Sequence, residues 1–174
     1  MPTIYLSPST QEWNSYVTGS GSEEYNMNLL ADALVPYLLS NGIQYQRNRP
    51  EMTAGSSIRE ANRGTYDFYL ALHSNGAPEG HYGEERGIIA FYYPGSRQGQ
   101  RAAELIAQEL RKIYPLPGKV TTRATTTLGE VAQSNAPAVL VENIPTTLKE
   151  PFASDRQVLA AMQAAHLRFQ EAVC

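Results

Sequence analysis

His73 closes the run Tyr66-Asp67-Phe68-Tyr69-Leu70-Ala71-Leu72, and Ser74-Asn75-Gly76-Ala77-Pro78 follows at once. Aromatic and large aliphatic residues giving way to Ser, Asn, Gly and Pro describe a buried strand that hands one side chain to a loop. In open α/β sheets ligands collect at the carboxyl ends of strands, and a neutral imidazole is the commonest metal ligand. His73 is therefore a candidate metal ligand; the plainer alternative is a satisfied polar residue at a strand end. A second apolar run, Pro137-Ala138-Val139-Leu140-Val141-Glu142-Asn143, also ends in an ionisable group. A carboxylate directly after such a run is expensive to bury without a partner. Two strands thus end in chemistry, although a buried salt bridge would also account for Glu142.

The elements that must position these groups read as an alternation of strands and helices. Strand one is expected at 3–6, followed by a long polar loop to residue 21. A helix at 22–40 is capped by Ser20 or Ser22, with Tyr25, Leu29, Leu30, Ala33, Leu34, Tyr37 and Leu38 at helical spacing. Pro36 lies inside it and should kink or split it. Glu24 falls in its first turn, where a carboxylate complements the helix dipole by a few tenths to about 1 kcal/mol. A strand at 43–47, a helix at about 56–63, a strand at 86–93, a helix at 96–113, a strand at 120–124 and a helical turn near 128–132 follow. The strand ending at Glu142 comes next, and a helix at 154–173 closes the chain. This order predicts a single α/β domain with a mixed, mostly parallel sheet of about six strands and helices on both faces.

The order Glu24, His73, Glu142 resembles the zinc-dependent N-acetylmuramoyl-L-alanine amidases of the third amidase type. Further motifs carry the likeness: Glu24-Tyr25-Asn26-Met27-Asn28-Leu29 opening the first helix, Arg59-Glu60-Ala61-Asn62 with Asp67 before the central strand, His73-Ser74-Asn75-Gly76, Arg86-Gly87-Ile88-Ile89-Ala90-Phe91-Tyr92-Tyr93, and the run from Pro137 to Glu142. The resemblance implies that Glu24 and His73 hold zinc and that Glu142 is the catalytic acid–base, taking a proton from the attacking water and passing it to the leaving amine. It implies hydrolysis of the amide between N-acetylmuramic acid and the L-alanine of peptidoglycan. Asn75 fixes either the loop or a substrate carbonyl. The family's first zinc ligand, a histidine directly after strand one, has no counterpart among residues 3–11, so the third ligand is one of Ser9, Thr10, Gln11, His81 or water. The alternative is a metal-poor homologue acting as a peptidoglycan-binding module.

Composition bounds the rest. A chain of 174 residues, 42% hydrophobic and 18% charged, is the size of one domain able to bury a proper core, here a catalytic domain spanning 1–174. A formal charge of −3 with scattered lysines and arginines argues against nucleic acid. Cys174 is the single cysteine, which rules out an internal disulfide and a cysteine-based zinc site. No signal-peptide pattern and no apolar window long enough to span a membrane is read in the chain. The expected partner is a muramyl peptide, met as a monomer at the cell wall, outside the cell or after lysis.

Overall fold

The computed structural model describes residues 1–15, 21–74 and 87–143. Strands β1 (Thr3–Pro8), β2 (Gln44–Arg47), β3 (Phe68–Ser74), β4 (Ile88–Tyr92), β5 (Val120–Ala124) and β6 (Ala138–Asn143) form one sheet in the order β2-β1-β3-β6-β4-β5. All neighbours are parallel except β4 and β6. The mixed, mostly parallel sheet of six strands follows the expectation. Asp67, the acid ahead of the central strand, sets the register at its start: its Oδ2 accepts the Thr3 N–H at 2.7 Å.

Alternation along the strands divides the core in two, because successive side chains point to opposite faces. Ile4, Leu6, Phe68, Leu70, Leu72, Val139 and Val141 pack beneath α1 (Glu23–Ser40) and α3 (Arg97–Arg111). Tyr5, Tyr69, Ala71, Ala138 and Leu140 pack on the other face with Ala61 of α2 (Ala54–Ala61) and Val131 of α4 (Gly129–Ala132). Tyr5 and Tyr69 stack there with ring centroids 5.2 Å apart. Continuing the alternation, Ser7, His73 and Glu142 belong to this second face.

Helix α1 departs from the sequence reading in two ways. It runs through Pro36 as one element. The ring removes only the donor for the Asp32 carbonyl, and both residues are exposed, so that carbonyl is open to a donor from solvent. Its buried stripe is Glu23, Met27, Ala31, Leu34 and Leu38, whereas Tyr25 and Leu29 are exposed. Apolar residues occur all round this helix, so spacing alone did not select the buried face. Helix α2 starts and ends two residues before the expected 56–63, since Thr53 and Ser56 form a reciprocal cap. The expected loop at 74–85, with His81, lies mostly outside the described residues, as does the closing helix at 154–173 with His166.

Candidate active site

The site assembles where β3 and β6 end. His73 and Glu142 are partners in the parallel register of these two strands, so both side chains leave the sheet together on the α2/α4 face. The turn after β1 comes alongside: the Ser9 N–H donates to the Leu72 carbonyl at 2.8 Å, placing the β1 extension beside the last turn of β3.

Glu23 is the acid that α1 delivers to this place. Ser22 caps the helix, its hydroxyl accepting the Tyr25 N–H at 3.1 Å, so Glu23 occupies the first helical position with its side chain on the buried stripe. Its Oε1 lies 3.0 Å from His73 Nδ1 and 3.3 Å from the Ser74 amide nitrogen. Asn14 holds it from the other side: the side-chain amide donates to Oε2 at 2.6 Å, and the Asn14 carbonyl accepts the Glu23 N–H at 2.8 Å. Burial raises the Glu23 pKa, but hydrogen bonding and charge from His73, with the Ser9 hydroxyl and Asn14, outweigh it and hold the carboxyl below its ordinary value.

Glu24, the acid expected at the metal, is half-buried one position further round the helix, where its carbonyl accepts the Asn28 side-chain amide at 2.8 Å. A step of one residue turns a side chain by about 100°, which explains why the adjacent glutamate and not Glu24 meets His73. Glu23 stands four residues before Met27 and eight before Ala31, both buried, and so shares their stripe.

Glu130, which no motif or spacing in the sequence marks, meets the other ring nitrogen. It lies in α4, only 4% exposed, and its Oε2 is 2.7 Å from His73 Nε2. Its Oε1 accepts the Ser7 hydroxyl at 2.6 Å and the Tyr69 hydroxyl at 2.7 Å. The string continues outward, since the Asn48 amide donates to Ser7 Oγ at 3.3 Å and to Ser57 Oγ at 3.2 Å. With an acceptor carboxylate at each nitrogen, the metal-free ring donates from both. Burial would lower its pKa; the hydrogen bonds and charges of Glu130 and Glu23 prevail and push it up to about 10.

Glu142 is different. Its Oε2 is buried with no hydrogen-bond partner among the described residues. Burial raises its pKa above the ordinary carboxylate value, the His73 charge works against this, and the Glu23 and Glu130 charges add to it. A carboxylate kept basic beside an imidazole is suited to accept a proton.

Carboxylate oxygen and imidazole nitrogen side by side are donors of the kind zinc takes, and a ligating histidine commonly donates its other N–H to a carboxylate, as His73 does to Glu130. Glu23 and His73 Nδ1 therefore fit two positions of a metal. Among the described residues, no group of three or more His, Cys, Asp or Glu side chains is arranged to hold one. Of the expected third donors, Ser9 is buried beside Glu23, and its hydroxyl accepts the Gln11 N–H at 3.3 Å. Thr10 and Gln11 are half-buried on the same turn. His81 and Asn75 lie outside the described residues.

The segment carrying Glu130 and Glu142 is pinned from below by Asn62, the last residue of the Arg59-Glu60-Ala61-Asn62 motif. Its side-chain amide donates to the Gln133 carbonyl at 2.7 Å, and its Oδ1 accepts the Asn135 N–H at 2.8 Å.

An imidazole held between carboxylates thus stands at the carboxyl edge of a mostly parallel α/β sheet, where ligands collect, with a basic carboxylate in register beside it. The family is specific: residues 6–162 match the N-acetylmuramoyl-L-alanine amidase family, and the chain belongs to it. Solved structures share the fold. The N-acetylmuramoyl-L-alanine amidase from Clostridium difficile 630 superposes with a TM-score of 0.83 at 16% identity, covering 98% of this chain and 97% of that one. The amidase AmiC2 of Nostoc punctiforme gives 0.79 at 17% identity, with 98% and 97% covered. The catalytic domain of the CD27L endolysin targeting Clostridia Difficile gives 0.72 at 20% identity, with 99% and 97% covered. No curated protein sequence matches the chain. Among the described residues no helix is long and apolar enough to cross a membrane.

Proposed function

We propose that residues 1–174 act as one catalytic domain that hydrolyses the amide between N-acetylmuramic acid and the L-alanine of peptidoglycan, with zinc as cofactor. Family membership supports the substrate. The observation that carries the reading is Glu142: a buried carboxylate oxygen without a partner among the described residues, in register with His73. Glu23 and His73 Nδ1 would hold the metal, with the remaining positions taken by water or by an oxygen of the 9–11 turn. Zinc, when bound, supplies a Lewis acid that polarises the amide carbonyl and lowers the pKa of a water towards neutrality.

The chain's own residues do the rest. Glu142 Oε2 takes the proton of the attacking water, and the same oxygen returns it to the amine of the departing L-alanine. Asn14 and the Ser74 amide keep the Glu23 carboxylate in place through these steps. Asn75 is a proposed contact to a substrate carbonyl. The domain would act on the cell wall as a monomer, on a muramyl peptide.

The test is incubation of the purified chain with peptidoglycan fragments and added zinc, followed by assay for free peptide amino-termini. Release that is lost on chelation and restored by zinc supports the proposal. Retention on peptidoglycan with no release would replace it by a binding module that lacks the chemistry.

A further inference from the structure

The geometry points to Glu130 as the positioning residue of this site: it fixes the tautomer and rotation of the His73 ring, so that Nε2 carries the proton and Nδ1 is turned towards Glu23. The inference rests on the zinc reading above and adds to it a residue that touches neither metal nor substrate.

Three observations converge. First, Glu130 has its two oxygens assigned to different tasks: Oε2 faces His73 Nε2 at 2.7 Å, while Oε1 is held by the Ser7 and Tyr69 hydroxyls at 2.6 and 2.7 Å. A carboxylate held at one oxygen by two buried donors cannot rotate freely, so the direction in which it receives the Nε2 proton is fixed. Second, the anchors are rigid. Ser7 and Tyr69 lie on adjoining central strands, are at most 1% exposed, and Ser7 is further held by Asn48. Third, α4 is a single short turn, and Asn62 ties the connection that leaves it to the end of α2 at Gln133 and Asn135, so the backbone carrying Glu130 is held from that side as well.

The chemistry assigns the direction. A carboxylate accepts only, so the ring nitrogen facing Glu130 must bear hydrogen. The same rule puts a hydrogen on Nδ1 opposite Glu23 in the metal-free ring, and a metal taken between Nδ1 and Glu23 would displace that proton while the Nε2–H stays on Glu130. Outer partners of this kind usually change metal affinity by about 10–100-fold when removed. The Tyr69 hydroxyl, whose pKa is raised by burial and then by the Glu130 charge, stays protonated and remains a donor.

The experiment uses the full chain and its Glu130→Ala, Glu130→Gln, Tyr69→Phe and Ser7→Ala variants. Zinc affinity is read by competition with a chromophoric chelator, and the ring tautomer by nitrogen NMR of 15N-histidine-labelled protein, with and without zinc. Thermal unfolding in chelator checks that each variant is folded. Expected are a 10–100-fold weaker zinc affinity for Glu130→Ala, a smaller loss for Glu130→Gln, and losses of several-fold for the two anchor variants. In zinc-loaded parent the metal-bound signal is that of Nδ1 and the protonated signal that of Nε2, and in Glu130→Ala a second pair of signals appears with the two nitrogens exchanged, from rings that have turned over. Should Glu130→Ala fail to fold, the Tyr69→Phe and Ser7→Ala arms decide. Parental affinity and an unchanged tautomer in the folded variants would overturn the inference while leaving the zinc reading intact; a parent that binds no zinc would remove both.

Discussion

His73 and Glu142 face each other in register across β3 and β6, so a shift of one residue in either strand would send one of the two to the opposite face of the sheet. The pairing makes Glu142 the group best placed to move a proton next to whatever His73 holds. Replacing Glu142 by Gln keeps shape and removes basicity. Amide release is expected to fall by about 10²- to 10⁴-fold. Thermal stability should hold or rise, because the carboxylate that is lost has a buried oxygen with no hydrogen-bond partner among the described residues. A melting temperature several degrees lower would instead identify Glu142 as a stabilising ion-pair partner.

The two adjacent glutamates of α1 give a direct comparison. Glu23 is 1% exposed and touches His73, while Glu24, one position further round the helix, is half-buried. After dialysis against micromolar zinc and metal analysis, Glu23→Gln should lose most of the bound metal and Glu24→Gln should keep most of it. The reverse pattern would move the ligand back to Glu24 and require α1 to turn by about one residue.

Much of the fold was legible because the strand runs of β3 and β6 are strongly apolar and end abruptly in polar residues, which fixes both the strands and the place where function collects. His73 and Glu142 were legible for the same reason. Glu23 was obscured by its neighbour: two glutamates in one helical turn differ in direction, and the buried stripe of α1 could not be chosen while Tyr25 and Leu29 looked equally apolar. Glu130 gave no sign of its own. It sits in a four-residue turn, and what makes it matter is hydrogen bonding to Ser7, Tyr69 and His73, residues between 57 and 123 positions away.

Metal-free protein should show a pH dependence of known sign. The His73 pKa is depressed by burial and lifted more strongly by Glu130 and Glu23, to about 10 in the folded state. Its contribution to stability is then complete below about pH 6.5, the usual unfolded value, and is lost as pH rises towards 10. The lowered Glu23 value works at the other end, its contribution being lost as pH falls below the ordinary 4.5. Glu142, raised chiefly by burial, costs stability as pH rises from the ordinary 4.5 through its folded value. Urea midpoints measured in chelator should therefore be higher near pH 5.5 than near pH 9.5, with the difference reduced in His73→Gln. A midpoint that stays level or climbs over that range would show that the ring is not held as a cation between the two acids.

Asn62 offers a test of how the site is held from a distance. Its side chain joins the end of α2 to Gln133 and Asn135, on the connection between α4 and β6. Asn62→Ala removes both hydrogen bonds, leaving the Asn135 N–H and Gln133 carbonyl without their partner. Both bonds are exposed, so solvent replaces the lost partner and a loss of about 0.5–1.5 kcal/mol in unfolding free energy is expected from denaturant titration. Because that connection carries Glu130 on one side and Glu142 on the other, kcat for amide release should also fall, with KM less affected, although Asn62 lies at the opposite end of β6 from the reacting groups. Asn62→Asp keeps the acceptor for the Asn135 N–H and should recover part of both effects. If stability falls by this amount while kcat is untouched, the α4–β6 connection holds its acids in place without Asn62, and the alignment of Glu130 and Glu142 must come from the β3–β6 ladder alone.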